Sequence, residues 1–339
     1  MASNLLKLPI QTIKSPIPSC SSSLSIKTHF PSLRNPLQNQ LKKSHISFFP
    51  PKPLHKSKFL CSSTLSTYSP PTSKEEAISQ AKTCLSTTLE KPLNNPRLAG
   101  KLKKQKQPKF RIEIPVIDDT PESLTQLALD FFQDLPIKRK GTQLNILLVW
   151  PNSNLAELAK KAFTNSVSSN SIQHMDMSSF LTNDSSRTLN STDVAVFLAP
   201  EDSELTVMKT VNDSLYPKPV VIFNPKWGFE DETSFGELSG FIGSFEVVYS
   251  FMGLEVRGVL SKRKGVVFKC ARDGVLSSER WEIFVEEENG ELKVISKFKK
   301  RPSIGEVENV LYNLMAVNSP ITKSAKFFRD LVSNVTGKK

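Results

Sequence analysis

Apolar residues recur along this chain with two periods, and the switches between them lay out its elements. A helical period begins after Ser73: Ile78, Ala81, Leu85 and Leu89 share one face, Ser73 and Glu76 have capping-box spacing, and Pro92 stands where the helix should end. Residues 92–109 lack an apolar period and hold Lys101, Lys103, Lys104, Lys106 and Lys109, which predicts a mobile basic connector. Phe110-Arg111-Ile112-Glu113-Ile114 alternates apolar and polar residues, the pattern of a half-buried strand. Thr120 and Pro121 then open a helix whose buried stripe is Leu124, Leu127, Ala128, Phe131 and Leu135. Three runs that are apolar almost throughout follow, at 144–150 (interrupted only by Asn145), 194–199 and 220–223, and such runs suit strands covered on both faces. Helical patterns at 154–167 and 201–215 and a short strand near 172–175 lie between them. The alternation predicts an α/β fold with a doubly wound, mostly parallel sheet.

After Gly243 the rhythm changes. Strands expected at 245–251, 254–260 and 265–271 are too close in sequence for crossover helices, so they should pair antiparallel. Asn289-Gly290, between strand segments at 281–288 and 291–298, predicts a hairpin with a two-residue type I′ turn. Two helices close the chain: one from Ser303 with Val307, Val310, Leu311 and Leu314, and one after Ser319-Pro320 with Ala325, Phe328, Leu331 and Val332. Antiparallel hairpins and closing helices thus fill the C-terminal third.

Composition changes the reading of the first part of the chain. No Asp or Glu precedes Glu75, nine Lys or Arg fall in residues 1–73, and Ser and Pro are dense there. Residues 1–61 therefore read as a chloroplast transit peptide, 62–72 as a linker, 73–335 as a single α/β domain and 336–339 as a tail. The expected location is the chloroplast stroma, with at most peripheral contact with the thylakoid through the basic connector or the Lys323, Lys326 and Arg329 side of the last helix. Of the net charge of +12, residues 1–73 carry +9 and residues 74–112 carry +7, which leaves the remainder at −4. A mildly acidic core argues against nucleic acid as a partner. No apolar run approaches the ~20 residues that span a bilayer.

Candidate chemistry is sparse. The three apolar strands run into Pro151, Pro200 and Pro225, and ligands of parallel sheets bind beyond such carboxyl ends. Asn152, Asp202, Asn224 and Lys226 form a candidate set for a small polar or phosphorylated ligand, with Trp227 stacking on it. The competing reading makes them ordinary turn and helix-start residues. Neither a Gly-x-Gly-x-x-Gly nor a Gly-x-x-x-x-Gly-Lys loop occurs, and Gly236, Gly240 and Gly243 only imitate one. His174 is the only histidine after residue 61, too little for a metal site or a triad. No catalytic residue, metal or cofactor is expected. Beyond the leader, Cys84 and Cys270 should be reduced and structural, with a regulatory disulfide between them as the alternative.

Four blocks carry a resemblance: residues 71–77 (PTSKEEA), 197–204 (FLAPEDSE), 219–225 (PVVIFNP) and 281–284 (WEIF). With them the stretch from Ser73 to Asp330 resembles a chloroplast and cyanobacterial family of unknown biochemical activity that includes the plant Low Photosystem II Accumulation protein three. Another branch fuses the domain to adenylate kinase, a half this chain lacks. The resemblance implies a photosystem II assembly factor that binds a chlorophyll-binding inner antenna or core subunit, or another assembly protein, without catalysis. It supplies no catalytic residues.

Overall fold

The computed structural model describes residues 11–12, 69–94, 106–115, 120–137, 139–164, 170–181, 185–227, 232–257, 262–276 and 280–318. The strands among them are β1 (Gln11–Thr12), β2 (Lys109–Glu113), β3 (Asn145–Trp150), β4 (Ser171–Asp176), β5 (Val194–Leu198), β6 (Val220–Phe223), β7 (Glu246–Arg257), β8 (Lys262–Cys270), β9 (Trp281–Glu286) and β10 (Leu292–Phe298). The helices are α1 (Lys74–Asn94), α2 (Pro121–Phe132), α3 (Ser153–Thr164), α4 (Ser185–Ser191), α5 (Leu205–Ser214), α6 (Ser239–Ile242) and α7 (Ile304–Asn318). One sheet joins the strands in the order β10-β9-β8-β7-β2-β6-β5-β3-β4, and β1 lies parallel to Leu254 and Glu255 of β7. From β7 to β4 all neighbours are parallel, whereas β7-β8, β8-β9 and β9-β10 are antiparallel. The architecture is therefore α/β, mostly parallel and covered on both faces, with an antiparallel extension and a closing helix.

The continuous apolar strands earn their two-sided burial by alternation. Ile146, Leu148 and Trp150 of β3 face α1, α2 and α3, together with Val194 and Val196 of β5 and Phe223 of β6. Leu147, Val149, Ala195, Phe197 and Ile222 face α5 and α6. On the first face Phe131 and Phe132 of α2 meet Phe223 edge-on or tilted, with ring centroids 5.0 and 5.4 Å away. A third cluster packs α7, through Val307 and Leu311, onto Val267, Trp281, Ile283 and Val285 of the antiparallel extension.

Four expectations from the sequence need correction. The first helix does not stop at Pro92 but runs to Asn94, because Leu93 is buried and a proline in the last turn interrupts few helical hydrogen bonds. Strand β2 is not half-buried: it lies between β7 and β6, and its polar residues Arg111 and Glu113 are 2% and 5% exposed. The three short strands after Gly243 are two long ones, because Gly253 continues β7 in register with Val266 instead of turning. Strand β7 also pairs parallel with β2, so it belongs to both halves of the sheet. Finally, the hairpin turn is longer than two residues. Glu287 N–H donates to Glu291 O and Gly290 N–H to Glu287 O, and Gly290 has φ 82° while Asn289 is not left-handed. This is a turn closed by a left-handed glycine, the usual three-residue hairpin. Most of the basic connector and the helix expected after Ser319 lie outside the described residues, as do residues 1–10 and 13–68.

Candidate functional site

The connection after β2 enters α2 on the first face, whereas the connection after the neighbouring β6 descends to the second face; β3 and β5 diverge likewise. Such divergence opens a crevice at the carboxyl ends of the strands. A cleft of about 660 Å³ occupies it, lined by Thr120 and Pro121 at the start of α2, Asn152, Leu155 and Lys161 around the start of α3, and Lys226 after β6.

The loops that frame this cleft are held by backbone in an unusual conformation. Ala199, after β5, and Asn224, after the adjacent β6, have φ of 43° and 51°, a region L residues adopt at a cost. Ala199 N–H donates to Phe223 O at 2.8 Å, and Lys226 N–H to Pro200 O at 3.0 Å, so the two loops are stitched together. Asn224 N–H donates to Ile112 O at 2.9 Å, and its Oδ1 accepts from Ile114 N–H at 2.7 Å, which ties the β6 end to the β2 end. Its Nδ2 is buried without a hydrogen-bond partner among the described residues.

Of the five residues singled out in the sequence, the cleft brings together two. Lys226 lies in it and pairs with Glu201 at 2.7 Å. Asn152 lines it too, but its Oδ1 accepts from Leu155 N–H at 3.0 Å and caps α3. Thr120 Oγ1 likewise accepts from Ser123 N–H at 3.3 Å and caps α2. Asn224 acts as the clamp just described. Asp202 sits in the short 3-10 turn Asp202–Glu204 ahead of α5, exposed, with Oδ1 accepting from Ser203 N–H. Trp227 is 6% exposed, meets Phe235 edge-on at 5.6 Å and belongs to the core beneath the sheet, outside the cleft lining. Burial keeps the Glu204 carboxyl above its ordinary range, and the Glu201 charge adds to this, while the Glu201 N–H and Lys226 act against it.

Sequence reasoning missed a second polar constellation. Arg111 and Glu113 of β2 pair at 2.5 Å, Arg301 Nη1 donates to Glu113 Oε1 at 2.9 Å, and Ser250 Oγ of β7 donates to Glu113 Oε2 at 2.5 Å. The network is sandwiched by tryptophans: the Arg111 guanidinium lies 5.6 Å from the Trp227 ring and that of Arg301 5.4 Å from the Trp281 ring. Burial works against the Glu113 charge, yet the two arginines and Ser250 outweigh it and hold the carboxyl below its ordinary range. The alternation in β2 was the only local signal, and it reads the same for a solvated face.

His174 is on β4, where its Nδ1 accepts from Trp150 Nε1–H at 3.1 Å and Phe163 meets its ring at 4.7 Å. Burial, with Lys160 nearby, lowers its pKa to about 4. Among the described residues no group of three or more His, Cys, Asp or Glu could hold a metal ion, and no helix is long and apolar enough to cross a membrane.

A family model described as a domain of unknown function, DUF1995, matches residues 71–309, the span of α1 through the start of α7. The chain belongs to that family. The DUF1995 domain thus takes in β2 to β10, both helical faces and the cleft. No curated protein matches. Among solved structures, the domain is similar to a KaiC-like protein from Pyrococcus horikoshii OT3, at 10% identity and TM-score 0.29, over 62% of this chain and 99% of that one. It is also similar to the flagellar accessory protein FlaH from Methanocaldococcus jannaschii, at 11% identity and TM-score 0.25, over 59% of this chain and 93% of that one. Likenesses this distant bear on neither ligand nor activity.

Proposed function

We propose that this chain is a chloroplast assembly factor for photosystem II that works by binding a chlorophyll-binding inner antenna or core subunit, or another assembly protein, rather than by catalysis. The photosystem assignment is supported by the four sequence blocks that resemble a family with a photosystem II assembly branch. The binding role is supported by where the reactive side chains sit. His174 is half-buried and accepts a hydrogen bond from Trp150, and both Cys84 and Cys270 are buried thiols. In the cleft, Lys226 is paired with Glu201, and the side chains of Thr120 and Asn152 already cap the two helices that start there. Affinity purification of the tagged chain from solubilised chloroplasts, against a stromal-protein control, tests the proposal. Enrichment of photosystem II core subunits or their assembly proteins is the expected outcome. Their absence, with normal photosystem II complexes on native gels of plants lacking the protein, removes it.

A second reading, a small anionic ligand in the cleft, is favoured by one observation: two non-glycine residues in left-handed conformation, Ala199 and Asn224, at adjoining strand ends. A ligand that binds only the native state raises its melting temperature. Adenine nucleotides and sugar phosphates should then raise it in the unmodified protein and not in Lys226→Ala. No rise with any of them eliminates this reading and leaves the first untouched.

A further inference from the structure

Cys84 lies on the buried side of α1 and Cys270 ends β8. They are 186 residues apart in sequence, yet their sulfurs stand 3.4 Å apart, with the residues 0% and 4% exposed. They are the only cysteines after residue 61. The backbone around both is fixed. Ala271 N–H donates to Val248 O at 2.9 Å, which anchors the end of β8. Gly274, at φ 64°, then brings the following turn so close to α1 that a Cβ there would lie 2.8 Å from Thr87 O. A disulfide needs an S–S distance of about 2.05 Å, so the two sulfurs must approach further from 3.4 Å to bond.

We propose that Cys84 and Cys270 are a disulfide-forming pair, oxidised by a peroxide, that staples α1 to the antiparallel half of the sheet. One thiolate attacks a peroxide oxygen and becomes a sulfenic acid, and the O–O bond breaks to release water. The second sulfur then displaces the sulfenic oxygen as water, forming the S–S bond. Two thiols and one hydrogen peroxide give one disulfide and two waters, and the two electrons pass to the peroxide. The Cys270 thiol beside it and burial both push the Cys84 thiol above its ordinary range, so the closed protein reacts slowly. Oxidation therefore proceeds through partial opening of α1 from β8, and sub-denaturing urea should accelerate it. Once formed, the link closes a loop of nearly 190 residues and restricts the unfolded chain.

The test uses the full-length chain with Cys20→Ser and Cys61→Ser, treated with hydrogen peroxide and mapped by mass spectrometry without reduction. The expected result is a linked peptide pair holding Cys84 and Cys270, two hydrogens lighter than the separate peptides. The melting temperature should rise by about 5 °C or more, reversibly with dithiothreitol, and neither Cys84→Ser nor Cys270→Ser should show the rise. Sulfinic or sulfonic acid at either position, intermolecular dimers, or two thiols retained where the urea-unfolded chain loses both would overturn the proposal. So would a linked pair that melts lower than the dithiol. The mapping decides even where a serine variant does not fold.

Discussion

At the scale of single residues, two ionisable groups, the half-buried His174 and the buried Glu113, set how this protein responds to acid. The folded His174 has a pKa of about 4 against 6.5 for the free group, so the unfolded chain binds the extra proton between those values. Its contribution is complete above pH 6.5 and is lost as pH falls toward 4. The shift corresponds to about 3 kcal/mol, and His174→Gln should flatten urea-measured stability over that window. Glu113 acts lower: its folded pKa lies below 4.5, so its stabilisation is present above 4.5 and disappears as pH falls through the folded value. Glu113→Gln should cost about 3 kcal/mol at neutral pH, because it strands the buried Arg111 and the half-buried Arg301, and should remove the acid-dependent loss below pH 4.5. Asn224 carries both a left-handed backbone and a hydrogen bond to Ile114. Asn224→Ala should cost about 2 kcal/mol by losing both, and Asn224→Gly should be milder because it keeps the backbone freedom.

At the scale of elements, the packing of α1 onto the turn after β8 leaves no room for a side chain. Gly274→Ala would force a left-handed alanine against the Thr87 carbonyl and should lower stability by about 2 kcal/mol or more, visible in thermal melts. Elements whose signal is local were legible in the sequence: β6 at 220–223, the Thr120-Pro121 start of α2, and the Ser303 cap of α7, where Glu306 N–H donates to Ser303 Oγ. Elements defined by distant partners were not. Alternation in β2 resembles a half-solvated strand until Arg301, 188 residues away, is seen to complete the charge network of Glu113. Glycine and short spacing suggested a break at Met252-Gly253, but pairing with Val266 and Val267 overrides it. The candidate site divides the same way. Asn152 and Lys226 reach the cleft because proline-bounded strand ends place them there, whereas Trp227 is drawn into the core by Phe235 and Arg111, which no neighbouring residue announces.

At the scale of the whole molecule, burial is uneven across the sheet. Strands β5 and β6 are buried along their full length, while β10 is an edge strand with mostly exposed or half-buried side chains. Native-state hydrogen exchange should therefore find amides of β5 and β6 released only by global unfolding, and those of β10 by a lower-energy opening. Equal protection in both would show that the extension and the parallel half open as one unit. The net charge divides as unevenly: the leader and the α1-to-β2 stretch carry all the positive excess, and the rest of the chain is acidic.

The central position of β2 also bears on how the chain comes to fold as it is made. The first strand of the domain ends up between β6 and β7, whose residues are synthesised more than a hundred positions later. Until those strands emerge, β2 has no neighbour on either edge, and the carboxylate of Glu113 has neither Ser250 nor Arg301 beside it. Helices α1 and α2 can form early, but the surface they cover is completed only once β7, β8 and β9 have been made. The nascent protein therefore waits, with an open strand and apolar helix faces, for most of its own length to arrive.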